Sequence, residues 1–156
     1  MADWAASGVL SLAFALQGDL ASLRIPEARP SRSTGGLWRH TCFEAFAMAG
    51  EGPGYREFNF SPSGAWAVST FRGYRVAAEL KVDQGPAIVV RRSGDLLELD
   101  IELRPEVLPP GRLLRLGLSA VVEDVDGMLS YWALRHPPGQ PDFHHTDAFA
   151  MQLELY

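Results

Sequence analysis

The chain is poor in the residues that most often announce chemistry. Of its 156 residues only Cys42 is a cysteine. No internal disulfide can form, and nothing argues for an oxidising compartment. No neighbour in sequence would activate that thiol, so Cys42 is expected to be packed and inert. Lys and Arg never run longer than two residues, and the formal net charge is -5. Nucleic acid, which selects a basic face, is therefore not an expected partner. The apolar run at 8–16 is far too short to span a membrane, and no basic segment precedes it. No membrane partner is expected, and a cytoplasmic location is. A nucleophile elbow, a phosphate loop and a dinucleotide fingerprint are all missing.

What is present is a globular composition, 47% hydrophobic and 21% charged. The length suits one domain, residues 1–156, with room for a core. Short alternating runs predict strands at 8–16, 37–48, 54–60, 65–71, 73–81, 86–92, 95–103, 112–123, 128–135 and 147–156. Turn material separates them: Gly50-Glu-Gly-Pro-Gly54, Ser61-Pro-Ser-Gly64, Asp83-Gln-Gly-Pro86, Ser93-Gly-Asp95, Pro109-Pro-Gly111 and Asp126-Gly127. Residues 17–36 read as irregular, with at most a short helix, and no strand is expected before residue 8. Many short strands without long helical patterns predict an all-β fold, a two-sheet β-sandwich or a barrel. Leu97, Leu99, Ile101 and Leu103 alternate with Glu98, Asp100 and Glu102, which predicts an edge-facing strand with a solvated acidic side.

Chemistry-bearing residues gather in two places. The first is Leu37-Trp-Arg-His-Thr-Cys-Phe-Glu-Ala-Phe46 with Tyr55-Arg-Glu-Phe-Asn-Phe60, expected as an antiparallel hairpin. A one-residue slip would exchange its faces. One register buries Glu44 against Phe58 and Phe60, and an unpaired buried carboxylate is costly. The other places Phe43 and Ala45 there, and is preferred. It sets Trp38, His40, Glu44, Glu57 and Asn59 on one face, a groove with hydrogen-bonding groups and an aromatic platform. Arg75 either neutralises the acids or joins the ligand contacts. A three-residue loop at Ser61-Pro-Ser-Gly64 would send Trp66 to the core beside Phe58 and Phe60, and is preferred; a two-residue loop would place it beside Asn59 in the groove.

The second place is Tyr131-Trp-Ala-Leu134 with the loop 136–147. Asp126-Gly127 predicts a two-residue type I′ turn, pairing Val122 with Tyr131 and Ala120 with Ala133. Trp132 then faces the other way, over small residues, where a flat ligand could stack. The loop carries His136, Asp142, His144, His145 and Asp147, and long ordered loops are often functional. A metal held by His136, His144 and His145 is a weak alternative to histidines pinned by carboxylates.

The segments LWRHTCFEAF (37–46), YREFNFSPSGAWA (55–67), FRGYR (71–75), LSAVVEDVDGMLSYWAL (118–134) and HPPGQPDFHH (136–145) together resemble a bacterial group of DOMON-like proteins related to family 9 carbohydrate-binding modules. Residues 76–112 match in pattern alone. Gly35-Gly36 stand where the group often has an acid before its Leu-Trp, and its early strand is missing. The resemblance implies a jelly-roll sandwich and a ligand-binding role, with sugars or haem bound by relatives.

The expected function is a non-catalytic module for a saccharide or sugar-containing metabolite, without a cofactor. Trp38 and Trp132 would stack, while His40, Glu44, Glu57, Asn59, Arg75, His136, Asp142 and His144 would supply polar contacts. One alternative is a non-covalent haem domain with axial ligands from His40, His136, His144, His145 or Met48. Another is an enzyme using Glu44 and Glu57 or the histidine-rich loop.

Overall fold

Period-two alternation dominates the chain, and it builds two antiparallel layers in the computed structural model, which describes residues 1–50 and 52–154. The strands are β1 (Ala2–Trp4), β2 (Leu10–Gln17), β3 (Arg32–Ser33), β4 (Cys42–Ala49), β5 (Tyr55–Phe60) and β6 (Ala65–Gly73). They continue as β7 (Val76–Ala78), β8 (Ala87–Ser93), β9 (Leu96–Leu103), β10 (Leu113–Glu123), β11 (Leu129–Ala133) and β12 (Met151–Glu154). A four-stranded sheet runs β1-β2-β9-β8. An eight-stranded sheet runs β11-β10-β4-β5-β6-β3, with β12 also on β10 and β7 on β6. The fold is an all-β, two-sheet sandwich.

The core lies between the inward faces. Leu97, Leu99, Ile101 and Leu103 of β9 meet Phe43, Ala45, Phe58, Phe60, Leu114 and Leu116 of the larger sheet. Phe58 and Phe60 are fully buried, each contributing about 1.5–3 kcal/mol by leaving water. Glu98 and Asp100 point outward and pair with Arg91. β9 is an inner strand, between β2 and β8, and not an edge. The preferred hairpin register is the observed one: Phe43 lies opposite Phe60, and Ala45 opposite Phe58.

Four expectations are corrected. Strand 37–48 begins only at Cys42, because Leu37–Arg39 forms a 3-10 turn after Gly36 at φ 75°. Strand 73–81 shrinks to β7, and two short strands, β1 and β3, were not foreseen. β1 is too short to show a period, and β3 joins β6 in parallel through backbone bonds alone. The turn at Asp126-Gly127 is a residue longer than expected. Asp124 N–H donates to Met128 O at 3.0 Å, so Val125, Asp126 and Gly127 form a three-residue loop, with Gly127 at φ 82°. Every residue of β11 is therefore shifted by one: Tyr131 lies opposite Val121, and Trp132 opposite Ala120. The expected last strand, 147–156, is β12, preceded by a 3-10 turn at Thr146–Ala148. Leu155 and Tyr156 lie outside the described residues, as does Glu51 of the expected Gly50–Gly54 turn.

The loop at Ser61-Pro-Ser-Gly64 has the three-residue form, with Ser61 N–H on Ala65 O at 2.8 Å and Gly64 at φ 88°. Trp66 lies opposite Phe60 on the inward face, and the backbone at Gly85 packs against its ring.

Candidate functional site

The outward face of the large sheet is not left to water. Phe46 and Met48 of β4 and Tyr55 of β5 form a second apolar cluster with Ala148 and Phe149. The chain after β11 folds across this face, stacking Phe149 on Phe46 at 6.0 Å. Close approach needs Gly117 on β10, where a Cβ would stand 3.1 Å from Ala148 O and Phe149 Cδ1. Beside this cluster the covering loop stops short, and a cleft of about 430 Å³ opens onto the sheet. That volume is within the usual range for small-molecule sites.

Glu44 and Glu57 form the floor of the cleft. Glu44 sits between Asn59 and Ser119 in register, while Glu57 sits between Phe46 and Ser69. Glu57 is held: Asn59 Nδ2 donates to its Oε1 at 2.9 Å. Glu44 is only 3% exposed, yet it has no hydrogen bond or ion pair among the described residues. Burial, and then the neighbouring Glu57 charge, pushes its pKa up to about 8. Burial raises Glu57 as well, while Asn59 and Arg75 oppose that rise. At neutral pH Glu44 is thus protonated, and of the two acids Glu57 has the more support for its charge, from Asn59 and Arg75. Ser119 Oγ is also buried without a hydrogen-bond partner among the described residues.

One wall is a relay of hydrogen bonds. The backbone N–H of Arg75 donates to Tyr55 Oη at 3.0 Å, and Tyr55 Oη lies 2.8 Å from His144 Nδ1. Where Tyr55 donates to Nδ1, His144 carries its own proton on Nε2. That Nε2 stands 3.7 Å from Glu57 Oε2. Burial, followed by the Arg75 charge, lowers the His144 pKa to about 4, so the ring is neutral at pH 7. Phe46 and Phe71 hold it edge-on, at 5.0 and 5.1 Å.

The rim is tied down by Asp142. It accepts from Tyr74 Oη, from Arg75 Nη2 at 2.9 Å and from the His144 backbone N–H at 3.1 Å. Burial works against the charge of Asp142, but Tyr74 and Arg75 hold its carboxyl below the usual range. Arg75 is the one described non-glycine residue with positive φ, 56°. Such a conformation costs roughly 1–2 kcal/mol. The bonds to Tyr55, Tyr74 and Asp142 keep it in place.

Of the residues singled out in the sequence, Trp38, Glu44, Glu57, Arg75, Asp142 and His144 line this cleft. Asn59 lies beneath them, buried, as the orienting partner of Glu57. Three do not join. His40 leaves the cleft because β4 has not yet begun; its Nδ1 lies 2.7 Å from Glu123 Oε2, beside Arg24 in a separate hollow. Trp132 is turned to the sandwich edge by the longer turn, 62% exposed, near Phe14 and Leu16. His136 stays exposed outside the cleft, its ring 6.2 Å from that of Phe143.

Sequence reasoning missed Tyr131, Phe71, Val121 and Phe143 on the cleft wall. Tyr131 is the consequential one, since it stands on the cleft wall where Trp132 was expected. The signal was available: Val-Asp-Gly ending in a left-handed glycine is the same bulged three-residue loop as Pro-Ser-Gly.

The metal alternative does not assemble. No group of three or more His, Cys, Asp or Glu suited to a metal occurs among the described residues. His144 Nδ1 is bonded to Tyr55, and His145 Nδ1 accepts from the Asp147 N–H. The proposed haem ligands are likewise dispersed: Met48 is buried under the covering loop, and His40 is on Glu123. Cys42 is buried, and burial followed by the Glu44 charge raises its pKa well above the usual thiol value. It has the surroundings of an inert thiol.

Two other hollows are of similar size. One, on the small sheet, is bordered by Asp3, Asp100 and Glu102, with Asp100 already paired to Arg91. The other is the apolar sandwich edge beside Trp132. Neither brings together buried polar groups as the cleft does.

No protein-family model matches the chain, and no curated protein matches it. A solved structure from Bacteroides uniformis, named a "putative carbohydrate-binding protein", superimposes with a TM-score of 0.65 at 17% identity. The alignment covers 94% of this chain and 72% of that one. At that identity the likeness concerns the fold.

Proposed function

We propose that this protein is a non-catalytic binding module that holds a saccharide in the cleft above Glu44 and Glu57. The observation that carries the reading is Glu44: a buried carboxyl without an internal partner, facing an accessible hollow with aromatic side chains at its rim. Buried polar groups are normally satisfied, and at the floor of an open cleft a ligand or water can complete the set. Trp38 and Tyr131 offer the flat apolar surfaces on which sugar rings stack. Glu44 and Glu57 take ligand hydroxyls, the neutral His144 donates from Nε2, and Arg75 donates from a rim fixed by Asp142. The similarity in fold to a protein named for carbohydrate binding supports the same choice.

Intrinsic fluorescence tests it. Titration with a panel of neutral mono- and oligosaccharides should quench Trp38, so the signal is lost in Trp38→Phe and kept in Trp132→Phe. No response to any sugar, or a response that follows Trp132, refutes the assignment.

One observation favours a second reading, acid–base catalysis on a glycoside. The histidine-rich loop and the two glutamates meet, and only Glu57 has side-chain partners that favour its charged form. Release of aryl alcohol from aryl glycosides, abolished by both Glu44→Gln and Glu57→Gln, would establish it; no turnover across the panel leaves the binding reading alone.

A further inference from the structure

Not every sugar suits a floor of this charge. Three carboxyls border the cleft, from Glu44, Glu57 and Asp142, against one guanidinium, Arg75. That guanidinium is already committed to Asp142 and Tyr74. His144 adds no positive charge, since burial and the Arg75 charge hold its pKa at about 4. Glu57 has one firm internal donor, Asn59, and Glu44 has none. Next to Glu44 in register, Ser119 Oγ is buried and equally without a partner. The cleft thus holds two adjacent acid side chains with spare acceptor positions and, among the described residues, no uncommitted cation, while the unpartnered Ser119 hydroxyl lies beside it in register.

Neutral hydroxyls would satisfy the acceptors but would bring Glu44 no counter-charge. An ammonium group does both: it carries three donors and one positive charge. Hydrogen bonds between ions are also the strong ones. We propose that the ligand of this cleft carries a protonated amine on a hydroxylated ring, an amino sugar, whose ammonium seats between Glu44 and Glu57. The inference rests on the saccharide reading and narrows it to a cationic class.

A proton accompanies the event. Free Glu44 holds its proton at neutral pH, for want of a counter-charge. An ammonium supplies that counter-charge, so Glu44 gives its proton to solvent as the amine docks. The groups facing Glu44 do not take the proton up. Glu57 on β5 has the ammonium as its own partner. Asp142 and His144 on the covering loop are held by Tyr74, Arg75 and Tyr55. Tyr55 on β5 and the Cys42 thiol, both with raised pKa values, stay neutral. Arg75 stays charged throughout.

Calorimetry on the intact protein at pH 6.5 tests the proposal with four sugars: glucose, 2-amino-2-deoxyglucose, 6-amino-6-deoxyglucose and N-acetylglucosamine. Methylammonium is the non-sugar control. At least one amino sugar should bind ten times tighter than glucose and N-acetylglucosamine, and far tighter than methylammonium. Repeating the titration in buffers of different ionisation enthalpy should show close to one proton released per amino sugar and none per glucose. Glu44→Gln, checked for folding by its melting curve, should cut the preference below threefold and abolish the release. If neutral sugars bind as well as amino sugars, the cationic class is wrong and the saccharide reading stands. If methylammonium binds as tightly as the amino sugars, the cation site stands and the saccharide reading falls. If nothing binds, both are overturned.

Discussion

Replacing Glu44 by glutamine should make the protein more stable, and the gain should grow with pH. Glu44 is buried without a partner, and its pKa stands at about 8 against an ordinary value of 4.5. A raised carboxyl pKa means that the folded state binds more protons than the unfolded state between those two values. Stability therefore falls as pH rises through that window and levels off above it. Each unit is worth about 1.4 kcal/mol. Between pH 5 and pH 8 the loss is therefore about 3 kcal/mol, on the order of 6–12 °C in melting temperature for a chain of this size. Glu44→Gln removes that titration. The variant should melt close to the parent at pH 5 and well above it at pH 8, by thermal scans in matched ionic strength. Asp142 acts in the opposite sense, since its pKa is lowered, but its window lies below pH 4 and does not overlap. A variant no more stable than the parent at pH 8, or a difference that does not change with pH, would show that Glu44 is not the strained acid described above.

Three further outcomes follow from the same geometry. Tyr55→Phe strips the bridge between the Arg75 N–H and His144 Nδ1 and should cost about 1–3 kcal/mol in denaturant unfolding; no loss would mean that the relay is not formed. Gly85→Ala would set a Cβ 2.1 Å from the Trp66 ring and should destabilise by roughly 1–3 kcal/mol, with a change in near-ultraviolet dichroism. Asp142→Asn should loosen Arg75 and weaken sugar binding roughly tenfold, scored by titration, with only a small fall in melting temperature because the Arg75 partner is about half exposed.

The floor of the site was legible in the sequence because burying Glu44 against phenylalanines is costly and the alternative register is not. That single energetic choice set Phe43 opposite Phe60 and brought Glu44, Glu57 and Asn59 to one face. The bulged loop before Trp66 was legible for a similar reason, since Gly64 supplies the positive φ that the turn demands. The rim was harder. Extending the period of β4 back to Trp38 and His40 ignored Gly35-Gly36, which break the strand and start a 3-10 turn. His40 was consequently given to the cleft, where Glu123 claims it. One extra residue in the loop before β11 exchanged Trp132 for Tyr131. The convergence of Arg75, Asp142 and His144 depends on a loop folding back over the sheet, and such contacts leave no periodic trace in the sequence.

The most direct test of the site is chemical-shift mapping of the isotope-labelled protein during addition of the tightest-binding sugar. The account predicts that the largest changes fall on Trp38, Glu44, Glu57, Tyr131 and His144, across the outward face of the large sheet. Changes centred on Phe14, Leu16 and Trp132 at the sandwich edge, with the Glu44 carboxyl untouched, would contradict it.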